Sequence, residues 1–264
     1  MSISIIIPAR FGSTRFPGKP LAMLGDKAMI EHVHAKALEA VGNDPDVRVA
    51  IATDDERIAS FCQSKNFTVL MTSADCATGS DRVIAAADQL GMKSDDVVIN
   101  LQGDAPLMPV SAIKGVLNEF WTHPATRVAT PVKRLKWEEL DNLRESKKTT
   151  PFSGTTVAVS QQSRALWFSK NIIPGIRKEK DLREQSPFSP VYQHLGLYGY
   201  QLSALERFTN TKAGVYEELE GLEQLRFLEN GIPIQCVTID PGTLIHSGID
   251  SPEDLERAKR LLAA

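Results

Sequence analysis

An apolar run that ends at a proline and passes straight into a cationic glycine-proline loop constrains this chain more than any other feature. Residues 3–7 hold four isoleucines in five positions, and Pro8 closes the run. Between Pro8 and Pro20 stand Gly12, Gly18, Pro17 and three cations, Arg10, Arg15 and Lys19. Such a run reads as a buried strand. Its carboxyl end is where open α/β sheets receive ligands, and loop N–H groups with cations suit a phosphate. Spacing excludes two familiar phosphate loops. A Walker A loop has four residues between its glycines and a Ser or Thr after its Lys; here five residues separate Gly12 from Gly18, and Pro20 follows Lys19. The dinucleotide fingerprint GxGxxG is absent. A triphosphate loop of the nucleotidyltransferase kind remains, beside the plainer reading of a surface loop with scattered basic residues.

The rest of the chain supplies an α/β alternation around that strand. Strands are expected at residues 3–7, 47–52, 68–71, 97–101 and 127–132, with helices at 28–40, 56–65, 81–90 and 111–121 between them. The predicted fold is α/β: a mostly parallel twisted sheet with helices on both faces and an embedded antiparallel subdomain. From about Trp137 a charged segment runs to Lys148. Strands follow at 155–160 and 165–169, then a polar loop at 174–190, a strand at 193–201, an amphipathic helix at 217–230, a strand at 234–239 and a closing helix from Pro252 capped by Ser251. The parts are 1–132, a nucleotide-binding portion, 133–202, the embedded subdomain, and 203–264, a return to the main body, all within one structural domain. With 30 basic and 33 acidic residues the chain carries no basic stripe for nucleic acid, and no apolar run nears the roughly 18 residues of a membrane span. Three scattered cysteines do not make a disulfide framework, and the amino terminus does not read as a signal peptide, so a cytoplasmic location is expected.

Four further segments could carry chemistry. Gln102-Gly103-Asp104-Ala105-Pro106 follows a central strand, and an Asp there suits Mg²⁺; it could also be a turn Asp capping its own loop. Asp250 precedes Ser251-Pro252, where ordinary helix capping competes with metal binding. Thr78-Gly79-Ser80-Asp81-Arg82 stands before a helix and offers N–H groups to a base or ribose. Strand alternation puts His194, Gly196, Tyr198 and Tyr200 on one face, as a sugar pocket or as packing. His32 and His34 read as surface or packing residues on a helix.

The segments Ile7-Pro8-Ala9-Arg10, Ser13-Thr14-Arg15, Pro17-Gly18-Lys19-Pro20-Leu21 and Ala52-Thr53-Asp54 occur in order with Thr78-Gly79-Ser80-Asp81-Arg82 and Gln102-Gly103-Asp104. Behind them come His194-Leu195-Gly196-Leu197-Tyr198-Gly199-Tyr200, Leu222-Glu223-Gln224-Leu225-Arg226 and Gly248-Ile249-Asp250-Ser251-Pro252. Together they resemble, over nearly the whole chain, the 3-deoxy-manno-octulosonate (Kdo) cytidylyltransferase family, also called CMP-Kdo synthetases. The resemblance implies a nucleotide-diphospho-sugar transferase-like fold and a cytoplasmic homodimer built through 133–202, acting in lipopolysaccharide biosynthesis. It implies that the anomeric hydroxyl of an eight-carbon keto-acid sugar attacks the α-phosphorus of CTP, so that a CMP-sugar forms and pyrophosphate leaves. Asp104 and Asp250 would hold Mg²⁺, and Arg10, Lys19 and Arg15 would steady the triphosphate, whose transition state spreads charge over phosphoryl oxygens. Ala9, Thr53, Asp54, Gly79, Ser80 and Arg82 would read the nucleotide, and Gln102, His194, Tyr198, Glu223 and Gln224 would line the sugar site.

Departures from the family pattern gather on the sugar side. Ala105 stands where the family writes Glu, Gln193 where it writes Arg before the pocket His, and Lys170 where it writes Arg after Phe-Ser. The Lys of its Val-Lys-Val stretch becomes Ala158. Removed or softened cations favour a substrate with its own ammonium group, since like-charge contacts are unfavourable. The expected sugar is therefore 8-amino-3,8-dideoxy-manno-octulosonate, with Kdo as the alternative. Two other classes stay open: a nucleotide-sugar glycosyltransferase, against which the missing Asp-x-Asp at Asp104 counts, and a regulatory protein that retains the fold without turnover.

Overall fold

Alternation along the first strand sets the architecture. In β1 (Ile3–Ala9), Ile3, Ile5 and Ile7 enter one apolar cluster, while Ile6 enters a second cluster on the opposite face. All four are fully buried, each stabilising the fold by roughly 2 kcal/mol relative to exposure. The structure, a computed structural model, describes residues 1–12, 16–240, 248–249 and 251–263; the expectations placed on Arg15 and Asp250 lie outside the described residues.

After a 3-10 turn (Lys19–Leu21) come β2 (Met23–Leu24), β3 (Lys27–Ala28), α1 (Met29–Val41), β4 (Val47–Thr53), α2 (Glu56–Ser64), β5 (Val69–Met71), α3 (Gly79–Gln89), β6 (Val97–Asn100) and α4 (Val110–Thr122). The second half runs β7 (Val128–Lys136), α5 (Trp137–Ser146), β8 (Thr156–Val159), β9 (Ala165–Ser169), α6 (Glu179–Gln185), β10 (Phe188–His194), β11 (Tyr198–Gln201), α7 (Leu202–Thr209), α8 (Val215–Glu220), α9 (Leu225–Glu229), β12 (Gln235–Thr238) and α10 (Pro252–Ala263). Helices α1, α2 and α4 cover one sheet face, and α3, α7 and α9 the other.

The main sheet follows the order β5-β4-β1-β6-β11-β7-β10-β8-β9, with β12 beside β7. Strands β5, β4, β1 and β6 are parallel, and the embedded part from β11 to β9 is antiparallel, as the sequence pattern led us to expect. β10 and β11 both pair with β7, but on their other sides β10 meets β8 and β11 meets β6. The sheet forks there, at residues 195–197, and the fork opens a cleft.

Three expectations need correction, and the charged segment gains an element. The strand at 193–201 is two strands, because residues 195–197 break the ladder at the fork. The helix at 217–230 is α8 and α9, parted at Gly221, which sits at φ 62 in the left-handed region that ends helices. The loop at 174–190 contains α6, a helix with no buried residue that is held by ion pairs from Arg183 to Glu179 and Asp141 and from Arg144 to Glu179. The charged segment after Trp137 is α5, which buries only Trp137 and Leu140. The expected cap holds: the Ser251 hydroxyl accepts the Asp254 N–H at 3.2 Å.

Candidate active site

A first chamber of about 260 Å³ lies at the carboxyl ends of β1 and β6. Pro8, Ala9, Arg10 and Lys19 line it from the loop after β1, Thr78, Gly79 and Arg82 from the start of α3, and Gln102, Gly103 and Asp104 from the turn after β6. Gly103 is required by close approach, since a Cβ there would stand 2.8 Å from the Pro8 carbonyl oxygen. Thr78 caps α3: its Oγ1 accepts the Asp81 N–H at 3.1 Å, and Asp81 Oδ2 accepts the Thr78 N–H at 2.9 Å. This directs the helix amino terminus, favourable to negative charge, toward the chamber.

Polar side chains of this chamber pair with one another. Arg82, only 3% exposed, donates to Thr72 Oγ1 at 2.5 Å and to Asp54 Oδ2 at 3.0 Å. Lys19 Nζ lies 2.7 Å from Asp104 Oδ2. Thr53 is fully buried beneath the chamber, its Oγ1 accepting the Asp55 N–H at 3.2 Å, so it supports the helix start and does not line the wall. Asp54 acts on the chamber through Arg82.

The second chamber, of about 550 Å³, occupies the fork of the sheet. Gly79, Gln102 and Asp104 line both chambers, so Asp104 stands at their junction. Ser80, Ala105, Lys170, Gln193, His194, Tyr198, Glu223 and Gln224 line the second chamber, as does Gly248. Ile249 N–H donates to the Asp104 carbonyl at 2.8 Å and ties the carboxyl-terminal loop to the junction. Three of the four departures, Ala105, Lys170 and Gln193, reach this chamber, and Ala158 is not among its lining residues.

His194 is set by its neighbours. Its ring lies edge-on to Phe168 and beside Tyr198, each at 5.3 Å between centroids. Burial, together with the charge of Lys170, pushes its pKa down to about 3, so the ring is neutral at ordinary pH. Thr130 Oγ1 donates to the Leu197 carbonyl at 2.7 Å and lies 3.0 Å from His194 Nε2. With the hydroxyl proton committed, the hydrogen-bond network assigns Nε2 as donor and leaves Nδ1 an acceptor. Two polar atoms of this wall, Tyr198 Oη and Gln224 Nε2, are buried without a hydrogen-bond partner among the described residues. Gln224 is only 7% exposed, and a donor so placed is costly unless something else engages it.

The second chamber contains little formal charge. Lys170 is its one Lys or Arg among the described residues, and burial lowers its pKa while Glu220 acts the other way. Burial raises the pKa of Glu223, against the pull of Arg226. Arg226 is itself engaged by Glu217, at 2.7 Å through Nε and 2.5 Å through Nη2.

Sequence reasoning missed several contributors. Asn100 accepts from Gln102 Nε2 at 2.8 Å and fixes that side chain; Thr130 fixes the His194 tautomer; Gly154 and Thr155 form wall. Asn100 was findable, as the last residue of a central strand two positions before Gln102. Thr130 is distant in sequence from His194 and carried no signal. Among the described residues no cluster of three metal-ligating side chains occurs. Asp104, at the junction, is a fitting hard donor, because Mg²⁺ takes one or two protein carboxylates and completes its shell with phosphate and water.

The cytidylyltransferase family model matches residues 4–238. The chain is 42% identical over 264 residues to a 3-deoxy-manno-octulosonate cytidylyltransferase of Maricaulis maris, covering 100% of this chain and 98% of that protein. It is 40% identical over 265 residues to an 8-amino-3,8-dideoxy-manno-octulosonate cytidylyltransferase of Shewanella sp. strain ANA-3, covering 100% and 99% respectively. A solved CMP:2-keto-3-deoxy-manno-octonic acid synthetase complexed with CTP superposes with a TM-score of 0.83 at 31% identity, covering 100% of this chain and 99% of that one.

Proposed function

The chain belongs to the cytidylyltransferase family, and on that premise we propose that it joins CTP to an eight-carbon 3-deoxy keto-acid sugar, releasing pyrophosphate and giving the CMP-sugar. The observation that carries this reading is the junction. A cationic loop and a helix amino terminus face one chamber, a neutral His and the two residues with unpartnered buried polar atoms line the other, and Asp104 serves both. In that arrangement Arg10, Lys19 and Arg15 hold the triphosphate, Arg82 and the turn at Gly79 orient the nucleoside, and the sugar hydroxyl approaches the α-phosphorus from the fork. His194 Nδ1 accepts a hydrogen bond from a sugar hydroxyl, and Gln224 Nε2 and Tyr198 Oη donate to sugar oxygens. Asp104 and Asp250 are the proposed Mg²⁺ ligands; the ion would neutralise charge on the phosphoryl oxygens as pyrophosphate departs.

For the sugar, the wall chemistry supports 8-amino-3,8-dideoxy-manno-octulosonate. With Asp104 engaged by Lys19, one ammonium and one carboxylate, Lys170 and Glu223, face a substrate that carries one of each. The raised pKa of Glu223 reflects burial that a substrate ammonium would offset. Kdo itself is the second reading, favoured by the relative at 42% identity. Pyrophosphate release with CTP and Mg²⁺, run with Kdo and with its 8-amino analogue, separates them. Turnover confined to the amino sugar is expected, turnover with Kdo alone reverses the choice, and turnover with neither sinks the reading.

The proposal extends to a homodimer working in the cytoplasm. Phe152 at 74%, Leu166 at 62% and Leu219 at 73% exposure leave apolar surface on and beside the antiparallel part, with Leu166 on the terminal strand β9. Three unpaired thiols, Cys62, Cys76 and Cys236, suit a reducing compartment. Sedimentation of Leu166→Glu checks the dimer: a shift to monomer supports it, and a monomeric wild type removes it.

A further inference from the structure

Lys170 brings the sugar chamber its one ammonium among the described residues, yet its place is set from outside that chamber. It follows the last residue of β9, so its peptide groups have left the ladder. Two charged side chains take them up. Glu220, at the end of α8, accepts the Lys170 N–H at 2.8 Å through Oε2 and the Ser169 hydroxyl at 2.8 Å through Oε1. Lys147, just past α5, donates from Nζ to the Lys170 carbonyl at 2.5 Å. The same ammonium reaches the carbonyls of Ser153 at 2.5 Å, Gly154 at 3.1 Å and Pro151 at 3.2 Å. Neither Lys147 nor Glu220 lines the chamber, whereas Lys170 and Gly154 both do.

An ammonium turned inward on four carbonyls gives up water that a surface lysine keeps. Burial, followed by the like charge of Lys170, lowers the Lys147 pKa, and Glu220 offsets part of this. A tie that served stability alone could be made by a neutral side chain without that desolvation. The bonds instead fix one residue from both sides, with a carboxylate on its N–H and an ammonium on its C=O, and such charge-assisted bonds hold geometry more tightly than neutral ones.

We propose that Lys147 and Glu220 form a charged clamp that positions the Lys170 ammonium and the Gly154 wall for the acidic sugar. They are positioning residues for the second substrate and do not touch the nucleotide. The assignment rests on the cytidylyltransferase reading above, so the wild-type enzyme is run first with CTP, Mg²⁺ and both sugars.

The test measures KM for the sugar and for CTP in Lys147→Met and Glu220→Gln, with the thermal midpoint of each. Either variant raises KM for the sugar on the order of tenfold, the worth of one misplaced charged contact, and leaves KM for CTP within about twofold. In a Lys170→Met background Glu220→Gln adds nothing to the sugar KM, because its effect passes through Lys170, and Lys147→Met adds only the smaller part that passes through Gly154. Equal rises for both substrates, or full additivity in that background, would overturn the clamp in favour of a plain structural tie. Glu220→Gln keeps shape and remains informative if Lys147→Met fails to fold. A wild type that turns over neither sugar removes the function reading, and the clamp with it.

Discussion

The two chambers are built from similar residues but treat their polar groups in opposite ways. In the nucleotide chamber Arg82 is bound to Asp54 and Thr72, Lys19 to Asp104, and Thr78 to Asp81, so the ligand meets groups already held in place. Across the junction, Tyr198 Oη and Gln224 Nε2 are buried with no partner among the described residues, and Glu223 is desolvated enough to raise its pKa. A pairing that is complete in the free protein contributes to its stability, while an orphaned group costs stability and returns it only when a ligand arrives. Substitutions on the nucleotide side should therefore cost fold as well as turnover, and those on the sugar side should cost substrate alone.

The sharpest break is expected at the junction. Asp104→Asn should lower kcat/KM by about a thousandfold or more, as loss of a main electrostatic group does, and should also lower the thermal midpoint as its ion pair with Lys19 is lost. A variant retaining a tenth of wild-type turnover would remove Asp104 from the chemistry. Next in size is Arg82→Met, which strands the Asp54 carboxylate beside a buried site and should cost about 3 kcal/mol in urea unfolding. A cost below about 0.5 kcal/mol would show that the nucleotide chamber is not held by its pairs. On the other side, Lys170→Met should raise KM for the sugar about tenfold with KM for CTP and the thermal midpoint unmoved. A matching rise for CTP would erase the distinction between the chambers.

A smaller effect concerns pH. The folded pKa of His194 is depressed to about 3 from an unfolded value near 6.5. Its contribution is therefore complete above about pH 6.5 and is lost as the pH falls from there toward 3, where the unfolded chain binds a proton that the folded chain refuses. Thermal midpoints between pH 4 and 7 should rise with pH, and His194→Gln should flatten that slope. His34, also buried and stacked on Phe67 at 3.8 Å, retains part of it.

Legibility in the sequence divides along the same line. The nucleotide chamber comes from short contiguous stretches, an apolar strand, a Gly-Pro loop and a capped helix start, each with a local signature. The sugar chamber joins two short stretches at the sheet fork, 193–198 and 221–224, to supports that lie far from them in sequence. Thr130 meets His194, and Lys147 and Glu220 meet Lys170, only after β7, β8 and β10 have paired. Helix α6 was illegible because it buries nothing and is held by the Arg183, Arg144, Glu179 and Asp141 ion pairs, which no apolar period announces. The break at Gly221 was masked because Glu217, Leu225 and Phe227 continue an amphipathic pattern on both sides of it.

The measurement closest to the central claim is the thermal midpoint of Gln224→Leu, with and without sugar, beside the wild type. If the sugar chamber holds its unpartnered donors for substrate, the variant without sugar is at least as stable as wild type and loses the sugar-induced rise. A variant that is destabilised without sugar, yet retains the full rise with it, would contradict the account.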